Sequence, residues 1–303
     1  MTGFRSGFIG IVGRPNVGKS TLINALVGEK IVISAAKPQT TRQRIRVILT
    51  TKQAQIIFYD TPGLHKPQHK LGEEMNKAAL NTFKLVDAIL WLTDATQPAG
   101  RGDRWVAEKL RDFSGPVLVA VNKIDIASGL DLGRYIENIG ARQWPVVRVS
   151  ALTGQGLPEL LERVIGLLPA GPQYYPAEML TDQPESVIIS DLIREGIIDQ
   201  TEEEVPHSVA VVVEEFKARG KGPRENRRTY IRATVLVERD SQKKILIGKG
   251  GQRLKLIGTA GRKAVEEYLG GPVYLDLWVK TRKDWRDSLP DLRKLGYIEQ
   301  MED

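Results

Sequence analysis

The chain has 303 residues, of which 41% are hydrophobic and 27% charged, and its formal net charge is +7 at pH 7. That length and hydrophobic content suit two domains, each with its own core. There are no cysteines and only three histidines, which excludes disulfides and thiolate metal sites and argues against a zinc site. No apolar run approaches the roughly 20 residues that span a bilayer, and the first strand follows directly on the N-terminus. We therefore expect a cytoplasmic protein.

The first predicted element is an apolar strand at residues 8–12, followed by a glycine-rich loop and an apolar-periodic helix. Strand, loop and helix in this order form a phosphate-binding motif, in which backbone N–H groups solvate the phosphates of a nucleotide. Lys19 is expected to bridge the terminal phosphates, and the Ser20 hydroxyl to coordinate Mg²⁺. The residues expected to contact the nucleotide here are Gly13, Arg14, Pro15, Asn16, Val17, Gly18, Lys19, Ser20 and Thr21.

Two later segments are expected to reach the γ-phosphate end of this site. An apolar strand ends at Asp60, which we expect to hold Mg²⁺ through water, and the Gly63 N–H is expected to contact the γ-phosphate. In the polar segment at residues 37–42, one threonine should coordinate Mg²⁺ in the triphosphate state and release it after hydrolysis. We favour Thr41, with Thr40 as the alternative.

Base specificity is predicted at the end of the next apolar strand, where Asn122, Lys123 and Asp125 follow one another closely. The Asp125 carboxylate can accept two N–H bonds from the edge of guanine, whereas adenine offers no such donor pair. Asn122 is expected to tie the loop together and Lys123 to stack its stem on the base. After a fourth strand, the guanine carbonyl oxygen is expected to meet the backbone of Ser150, Ala151 and Leu152.

With these elements in order, the first part of the chain resembles the translation-factor-related GTPases. The resemblance implies an α/β P-loop domain, with a mostly parallel sheet and helices on both faces, that binds GTP or GDP with Mg²⁺ and hydrolyses GTP. Many small GTPases place a water-orienting glutamine where this chain has Leu64, and no arginine identifies itself as a cis-acting finger. We therefore expect slow intrinsic hydrolysis.

Asn16 suggests how the site supplies the positive charge that a cis-acting arginine would otherwise provide. With an asparagine at this loop position, the chain resembles GTPases that bind K⁺ there. In those GTPases the ion bridges phosphate oxygens. With Lys19, Thr41 and Gly63, Asn16 completes the set of residues expected to act in hydrolysis. The alternative is that Asn16 only orders the loop by hydrogen bonding its own backbone.

The domain limits follow from composition. An amphipathic helix ends before Pro169, and the proline-rich stretch after it cannot sustain a helix or a central strand. We predict a GTP-binding domain at residues 1–170, a linker at 171–180 and a second domain at 181–303. Residues 178–215 hold eleven acids and one base, whereas residues 217–263 hold fifteen bases and three acids, so one face of the second domain is expected to be basic.

The second domain contains a Gly-Lys-Gly-Gly turn between two apolar helical patterns, the first of which Ser241 is expected to N-cap. The surrounding pattern, with a helix near 186–201, strands near 208–216 and 230–237, a helix at 252–269 and a strand at 273–279, resembles an α+β KH domain of the α-β-β-α-α-β kind, type II. Such a fold clamps about four nucleotides of single-stranded nucleic acid. Ile247 and Leu254 are the candidates for the floor of its groove. The residues expected to contact RNA are Arg224, Arg227, Arg228, Ile247, Gly248, Lys249, Gly250, Gly251, Arg253 and Lys255.

The whole chain resembles the Era family of bacterial ribosome-assembly GTPases, which the segments at residues 38–42, 60–65 and 277–280 also suggest. The resemblance implies a GTP-dependent switch that binds the 3′ region of 16S ribosomal RNA and assists rRNA processing and assembly of the 30S subunit. A monomer is expected, and peripheral association with the inner membrane stays open. Two alternatives are a GTPase acting on transfer RNA or membrane partners, and a nucleic-acid-binding protein whose nucleotide site is only structural.

Overall fold

The fold is taken from a computed structural model that describes residues 3–33, 41–64, 67–129, 131–219 and 228–298. The chain forms two compact units, and the main segment of the second begins at Gln183. Residues 171–182 therefore belong to the first unit.

The first unit is a six-stranded sheet covered by helices. The strand order is β2-β3-β1-β4-β5-β6, and every neighbouring pair is parallel except β2 with β3. This arrangement confirms the predicted α/β fold. In chain order the elements are β1 (Arg5–Val12), α1 (Lys19–Val27), β2 (Ile45–Thr50), β3 (Ala54–Asp60), α2 (Lys70–Thr82), β4 (Ala88–Asp94), α3 (Arg101–Arg111), β5 (Val117–Asn122), α4 (Leu132–Ile139), β6 (Val146–Arg148) and α5 (Leu157–Leu167).

Helices cover both faces of this sheet, and the strands are apolar accordingly. β3, β4 and β5 are buried along their whole length, as expected for strands of a parallel sheet. Alternate residues of β4 enter different parts of the core: Leu90 packs in the cluster that includes Leu22 and Leu160, and Trp91 in the cluster that includes Val106. This period of two places α1 and α5 on one face and α3 on the other.

Two of the six strands, β2 and β4, are not among those predicted from the sequence. A short apolar run such as β4 cannot be distinguished from a buried helical segment by periodicity alone. The position of β4 matters for the site, because it lies between β1 and β5 and ends at Asp94 on the same edge of the sheet.

Residues 170–182, here called the strap, run along the antiparallel edge of the first unit. The Gln55 side chain, fully buried in β3, accepts a hydrogen bond from the Tyr175 N–H (2.9 Å) and donates one to the Tyr175 carbonyl (2.8 Å). At the end of the strap, Asp182 forms an ion pair with Arg46 of β2 at 2.7 Å. The proline-rich segment is thus held by the sheet through specific polar contacts.

The second unit is a three-stranded sheet with helices, in the strand order β7-β8-β9. β7 and β8 are antiparallel, whereas β8 and β9 are parallel. Without the short α7 and the elements after β9, the order is the predicted α-β-β-α-α-β. The elements are α6 (Glu185–Gln200), α7 (Val205–Ser208), β7 (Ala210–Arg219), β8 (Arg228–Val237), α8 (Asp240–Ile247), a 3-10 turn (Lys249–Gly251), α9 (Gln252–Leu269), β9 (Val273–Thr281), a 3-10 turn (Trp285–Asp287) and α10 (Leu289–Lys294).

The predicted N-cap at Ser241 is wrong. α8 begins one residue earlier, at Asp240, so that Ser241 lies in its first turn and is exposed. The Gln242 side chain instead accepts hydrogen bonds from the backbone N–H groups of Glu238 and Arg239, both at 3.0 Å. A glutamine at the third helical position can satisfy these orphan donors by reaching back.

The two tryptophans near the C-terminus have different environments. Trp285 is fully buried, and its indole N–H donates to the Ser208 carbonyl at 3.0 Å, so it is a packing residue of the second unit. Trp278 of β9 is 56% exposed. Across the described ranges of the chain, none of the helices is long and apolar enough to cross a membrane.

Candidate functional site

The phosphate loop connects β1 to α1 and presents the N-terminus of that helix. Gly18 is the N-cap of α1 and has φ 97°, and a Cβ atom there would lie 2.5 Å from Asn122 Nδ2. Only glycine fits this position, both for its backbone conformation and for the close approach of Asn122. The N–H groups of the first helical turn and the positive end of the helix dipole are thereby directed at the loop, as an anion site requires.

Lys19 is buried at the first position of α1, with 7% of its surface exposed. Its Nζ donates to the carbonyls of Gly13 (3.2 Å) and Arg14 (3.0 Å). Burial lowers the pKa of Lys19 from 10.5 to about 8, although the Asp60 carboxylate opposes the shift. A buried ammonium group held mainly by carbonyls is a strong attractor for a polyanionic ligand.

Three oxygen-bearing side chains converge beside the loop. Ser20 Oγ lies 3.0 Å from Thr41 Oγ1, and each hydroxyl donates to Asp60 Oδ2 at 2.9 Å. All three residues are buried. Two hydroxyls and a carboxylate are the hard oxygen ligands that Mg²⁺ prefers, so the chemistry of this set fits the predicted metal. Thr40 lies outside the described residues, so its claim as the alternative ligand stays a prediction.

The segment after Asp60 approaches the phosphate loop closely. A Cβ atom on Gly63 would lie 2.8 Å from backbone atoms of Pro15, and the Leu64 N–H donates to the Gly13 carbonyl at 3.2 Å. Leu64 itself is 2% exposed and packs in the core cluster with Ala79 and Trp91. A leucine in the core cannot orient an attacking water.

Asn122 joins the loops of the predicted base site to the loop that connects β1 to α1. Its Nδ2 donates to the Val17 carbonyl at 2.8 Å, and its Oδ1 accepts from the Ala151 N–H at 2.9 Å. The side chain is 2% exposed. One amide therefore fixes three loops that follow β1, β5 and β6.

Lys123 makes a second connection between the same loops. Its Nζ donates to the Asn16 carbonyl at 2.8 Å and to Asp94 Oδ2 at 2.7 Å. Asn16 and Lys123 both have positive φ, 64° and 66°, a conformation that asparagine tolerates well and lysine does not. Backbone strain of this kind is characteristic of ligand sites. The sequence reasoning missed Asp94, although a carboxylate ending an apolar run is the signal that identified Asp60.

The remaining residues of the predicted base site differ in their exposure and in their hydrogen bonds. Asp125 is exposed, and within the described part of the chain no hydrogen bond or ion pair engages its carboxylate. Ser150 is buried and its Oγ accepts from the Thr153 N–H at 3.1 Å, whereas Leu152 is 80% exposed. Because the Ala151 N–H already serves Asn122, the contact between residues 150–152 and guanine stays a prediction.

Arg14 points out of the phosphate loop toward α3. Its guanidinium lies 2.7 Å from Asp103, a residue that is 3% exposed and also accepts from the Gly100 N–H at 3.0 Å. Arg14 is thus held by a structural partner that the sequence reasoning did not find. No motif links an arginine in a loop to an aspartate 89 residues later.

The Gly-Lys-Gly-Gly turn connects α8 to α9 in the second unit. Gly248, Gly250 and Gly251 have φ values of 71°, 59° and 79°, which favour glycine at each position. Lys249 and Lys255 are exposed, and Arg253 donates to the Ile245 carbonyl at 3.2 Å. The turn therefore presents positive charge at the N-terminus of α9.

A groove of about 390 Å³ lies behind this turn, between α9 and β9. Its apolar walls include Leu254, as predicted, whereas the partly buried Ile247 is not among the lining residues. The sequence reasoning missed most of the lining, because helix and strand residues meet here only in the folded unit. The lining residues are Gly251, Leu254, Lys255, Gly258, Thr259, Arg262, Leu275 and Leu277.

Three further arginines, Arg224, Arg227 and Arg228, belong to the predicted RNA contacts. Arg224 and Arg227 lie outside the described residues, and Arg228 is described only by its backbone at the start of β8. Their predicted contacts with RNA stay predictions.

The fold and the two sites define a class of protein. A family model described as 50S ribosome-binding GTPase matches residues 8–123, and a KH domain model matches residues 204–286. The chain is thus a GTPase with a KH domain, as the sequence predicts.

Relatives that match over the full length of the chain identify the family of GTPases to which it belongs. The GTPase Era of Carboxydothermus hydrogenoformans is 49% identical over 98% of this chain and 99% of its own. A crystal structure of Era with MgGDPNP and nucleotides 1506-1542 of 16S ribosomal RNA is 38% identical, with TM-score 0.91 and coverage of 98% and 100%. A crystal structure of a single-residue variant of Aquifex aeolicus Era bound to GDP.AlF4- is 37% identical, with TM-score 0.89 and the same coverage. The chain belongs to the Era family of GTPases.

Proposed function

We propose that this protein is a GTP-hydrolysing switch that binds the 3′ region of 16S ribosomal RNA through its KH domain, and so assists rRNA processing and assembly of the 30S subunit. The observation that carries the proposal is the cluster of Ser20, Thr41 and Asp60 beside the phosphate loop, in a chain that also contains a KH groove. The relative with MgGDPNP and 16S RNA nucleotides supports both halves of the proposal.

In the first unit, GTP would bind with its phosphates at the N-terminus of α1 and its guanine at Asp125. Lys19 would exchange its carbonyl partners for phosphate oxygens, and Asp125 would accept the two N–H groups of the guanine edge. Ser20, Thr41 and Asp60 would hold Mg²⁺, which neutralises charge on the phosphates when it is bound. These roles account for the unusual burial of Lys19 and for the open position of Asp125.

Hydrolysis needs a water that the side chain of Leu64 cannot orient. The backbone at Gly63 approaches the phosphate loop closely, since a Cβ atom on that residue would lie 2.8 Å from backbone atoms of Pro15. Without a glutamine or a cis arginine, we expect slow intrinsic turnover, with K⁺ at Asn16 as the proposed source of extra positive charge.

The switch rests on Thr41, because its hydroxyl contacts both Ser20 and Asp60. With GTP bound, Thr41 would add metal coordination to these contacts, and loss of the γ-phosphate would weaken that coordination. Any effect on RNA binding must come from a difference in affinity between the two nucleotide states.

In the second unit, a single RNA strand would lie against the glycine turn with its bases in the α9–β9 groove. Lys249, Arg253 and Lys255 would meet phosphates and supply affinity that depends on salt. The apolar walls at Leu254, with Leu275 and Leu277 opposite, would contact the bases.

Gly258 offers a sharp test of the groove. It lines the groove on α9, and a Cβ atom there would meet nothing within 4 Å, so Gly258→Leu should fill the groove without straining the fold. The matched control is Gly166→Leu, another helical glycine with open space, on α5 of the first unit. Both changes should stabilise their helices by up to about 1 kcal/mol.

Affinity for a 16S RNA 3′ fragment and for a shuffled RNA should be measured for the native chain and both variants. We expect the native chain and Gly166→Leu to prefer the 3′ fragment, and Gly258→Leu to bind it at least roughly tenfold more weakly, since stacking contacts of this size are lost. Equal affinity of all three proteins for both RNAs would refute the RNA half of the proposal while leaving the GTPase half standing.

We further propose that the protein acts in the cytoplasm as a monomer on 30S precursors. Cosedimentation with precursor particles in the GTP-analogue state but not in the GDP state would support this proposal. Flotation with anionic vesicles tests peripheral association with the inner membrane, which the net charge of +7 favours only weakly.

A further inference from the structure

The sheet of the second unit has a face on the opposite side from the groove. Along β9, Leu275 and Leu277 line the groove with α9, so the alternate residues Tyr274, Asp276 and Trp278 lie on the other face. Tyr274 and Trp278 are 55% and 56% exposed, which is unusual for two large aromatic side chains four residues apart.

Ring stacking and hydrogen bonds to neighbouring strand residues hold the aromatic side chains of this face in place. Tyr274 stacks on Tyr230 of β8, with ring centroids 5.8 Å apart and an interplanar angle of 12°. Asp276 lies between the exposed rings and accepts hydrogen bonds from Tyr230 (3.1 Å), Arg232 (3.2 Å) and the side chain of Trp278. Burial alone would raise the pKa of Asp276, but these hydrogen bonds together lower it. The rings are therefore ordered before any ligand binds, which reduces the entropy cost of stacking.

This face also carries charged side chains. Among the side chains of this face that the structure describes, the acids and bases around the two rings form ion pairs, so this part of the face should contribute stacking more than phosphate contacts. The pairs are Arg232–Asp276 (3.2 Å), Lys280–Glu214 (3.2 Å) and Lys217–Glu215 (2.7 Å).

We propose that this aromatic face, defined by Tyr274 and Trp278, is a second contact surface for the same single-stranded RNA that occupies the groove. The proposal rests on the proposed function and on continuity. β9 is the last strand of the sheet, with the groove on one side and the two rings on the other. A strand of RNA leaving the groove past this edge reaches the rings within a few nucleotides, where its bases stack as they do on aromatic platforms elsewhere.

The test measures the binding of RNAs of different length to the native chain and to variants of the two aromatic residues. A single-stranded RNA of about four nucleotides from the 3′ region, the length that a KH groove holds, is compared with the same RNA extended by about four nucleotides at one end or the other. All three RNAs, the short one and the two extended ones, are titrated into the full chain and into Tyr274→Ala and Trp278→Ala. The control is Leu289→Ala, which removes another exposed apolar side chain of the second unit.

We expect one extension to raise the affinity of the native chain and of Leu289→Ala. In each aromatic variant this gain in affinity should be roughly tenfold smaller, which is the scale of one stacked base. Each variant should bind the short RNA with the affinity of the native chain. Because the described charges around the two rings are paired, a gain that comes from stacking on these rings should not change between low and high salt.

Three results would overturn the proposal. Native-like gains in both aromatic variants would show that the rings do not touch RNA. Equal weakening of the binding of the short and the extended RNA would show that the rings contribute to the stability of the second unit and not to an additional RNA contact. An extension gain that disappears at high salt would assign the gain to basic residues instead. Failure of the native chain to bind even the short RNA would instead refute the RNA half of the proposed function, and with it this inference.

Discussion

The burial of Lys19 predicts how GTP affinity depends on pH. In the nucleotide-free protein the pKa of Lys19 is about 8 instead of 10.5, because burial disfavours the charged form. A bound triphosphate favours the charged form and should raise this pKa again. Below pH 8 both states hold the proton, so affinity should be flat. Above pH 8 the free protein loses the proton that the complex keeps, and affinity should fall by up to about tenfold per pH unit.

The same shift has a consequence for stability of the nucleotide-free protein. The unfolded chain keeps the Lys19 proton up to pH 10.5, whereas the folded chain loses it above about pH 8. Between these values the unfolded state binds more protons, so the free energy of unfolding should rise with pH. The shift corresponds to roughly 3 kcal/mol at about 1.4 kcal/mol per pH unit.

Titration calorimetry of GTP binding between pH 7.5 and 9, which the expected slow turnover permits, measures both affinity and proton uptake when it is run in two buffers of different ionisation enthalpy. Guanine itself loses its ring proton at the upper end of this range, so Lys19→Gln serves as the matched control that retains the guanine effect. We expect uptake approaching one proton at pH 9 for the native chain and much less for the variant. Equal pH slopes and equal uptake for both proteins would refute the reasoning.

Three further predictions concern the first unit. Asp125→Asn should shift preference from GTP to xanthosine triphosphate, because the exchanged amide matches the altered base edge; unchanged preference in competition binding would remove Asp125 from the base site. Hydrolysis should be faster in KCl than in matched NaCl, and Asn16→Gly, which keeps the positive φ of 64° accessible, should abolish that difference without loss of nucleotide binding; equal rates in the two salts would exclude K⁺. A chain ending at residue 182 should be more stable than one ending at 170 by at least about 2 kcal/mol, because the shorter chain leaves the buried Gln55 amide without its strap partners; equal unfolding midpoints in urea would contradict this role of the strap.

Sequence reasoning predicted those residues of the candidate nucleotide site that can be recognised from local chemistry. A glycine loop before a helix, or a carboxylate after an apolar strand, can be recognised from its neighbours in the sequence alone. Lys19 and Asp60 were predicted in this way. Asp94 ends β4 in the same manner, yet no known spacing drew attention to it, and its pairing with Lys123 depends on the strand order.

The parts that were missed depend on contacts between distant segments. The strap reads as a linker because proline dominates it, whereas its attachment depends on one buried glutamine in β3. The groove wall likewise combines Gly258 of α9 with Leu275 of β9, which no periodicity within either element brings together. The predicted domain limits at 170 and 181 stay predictions, although composition placed them near the start of the second unit at Gln183.

The two bridges between the predicted base site and the loop after β1 would couple the binding of guanine to the binding of phosphate. Asn122 and Lys123 hold the carbonyls of Val17 and Asn16, so ordering either loop orders the other. Guanosine and pyrophosphate offered as separate molecules should therefore bind cooperatively, each raising the affinity for the other by the same factor. The intact nucleotide would then bind more tightly than its two halves suggest, even after allowance for their covalent linkage.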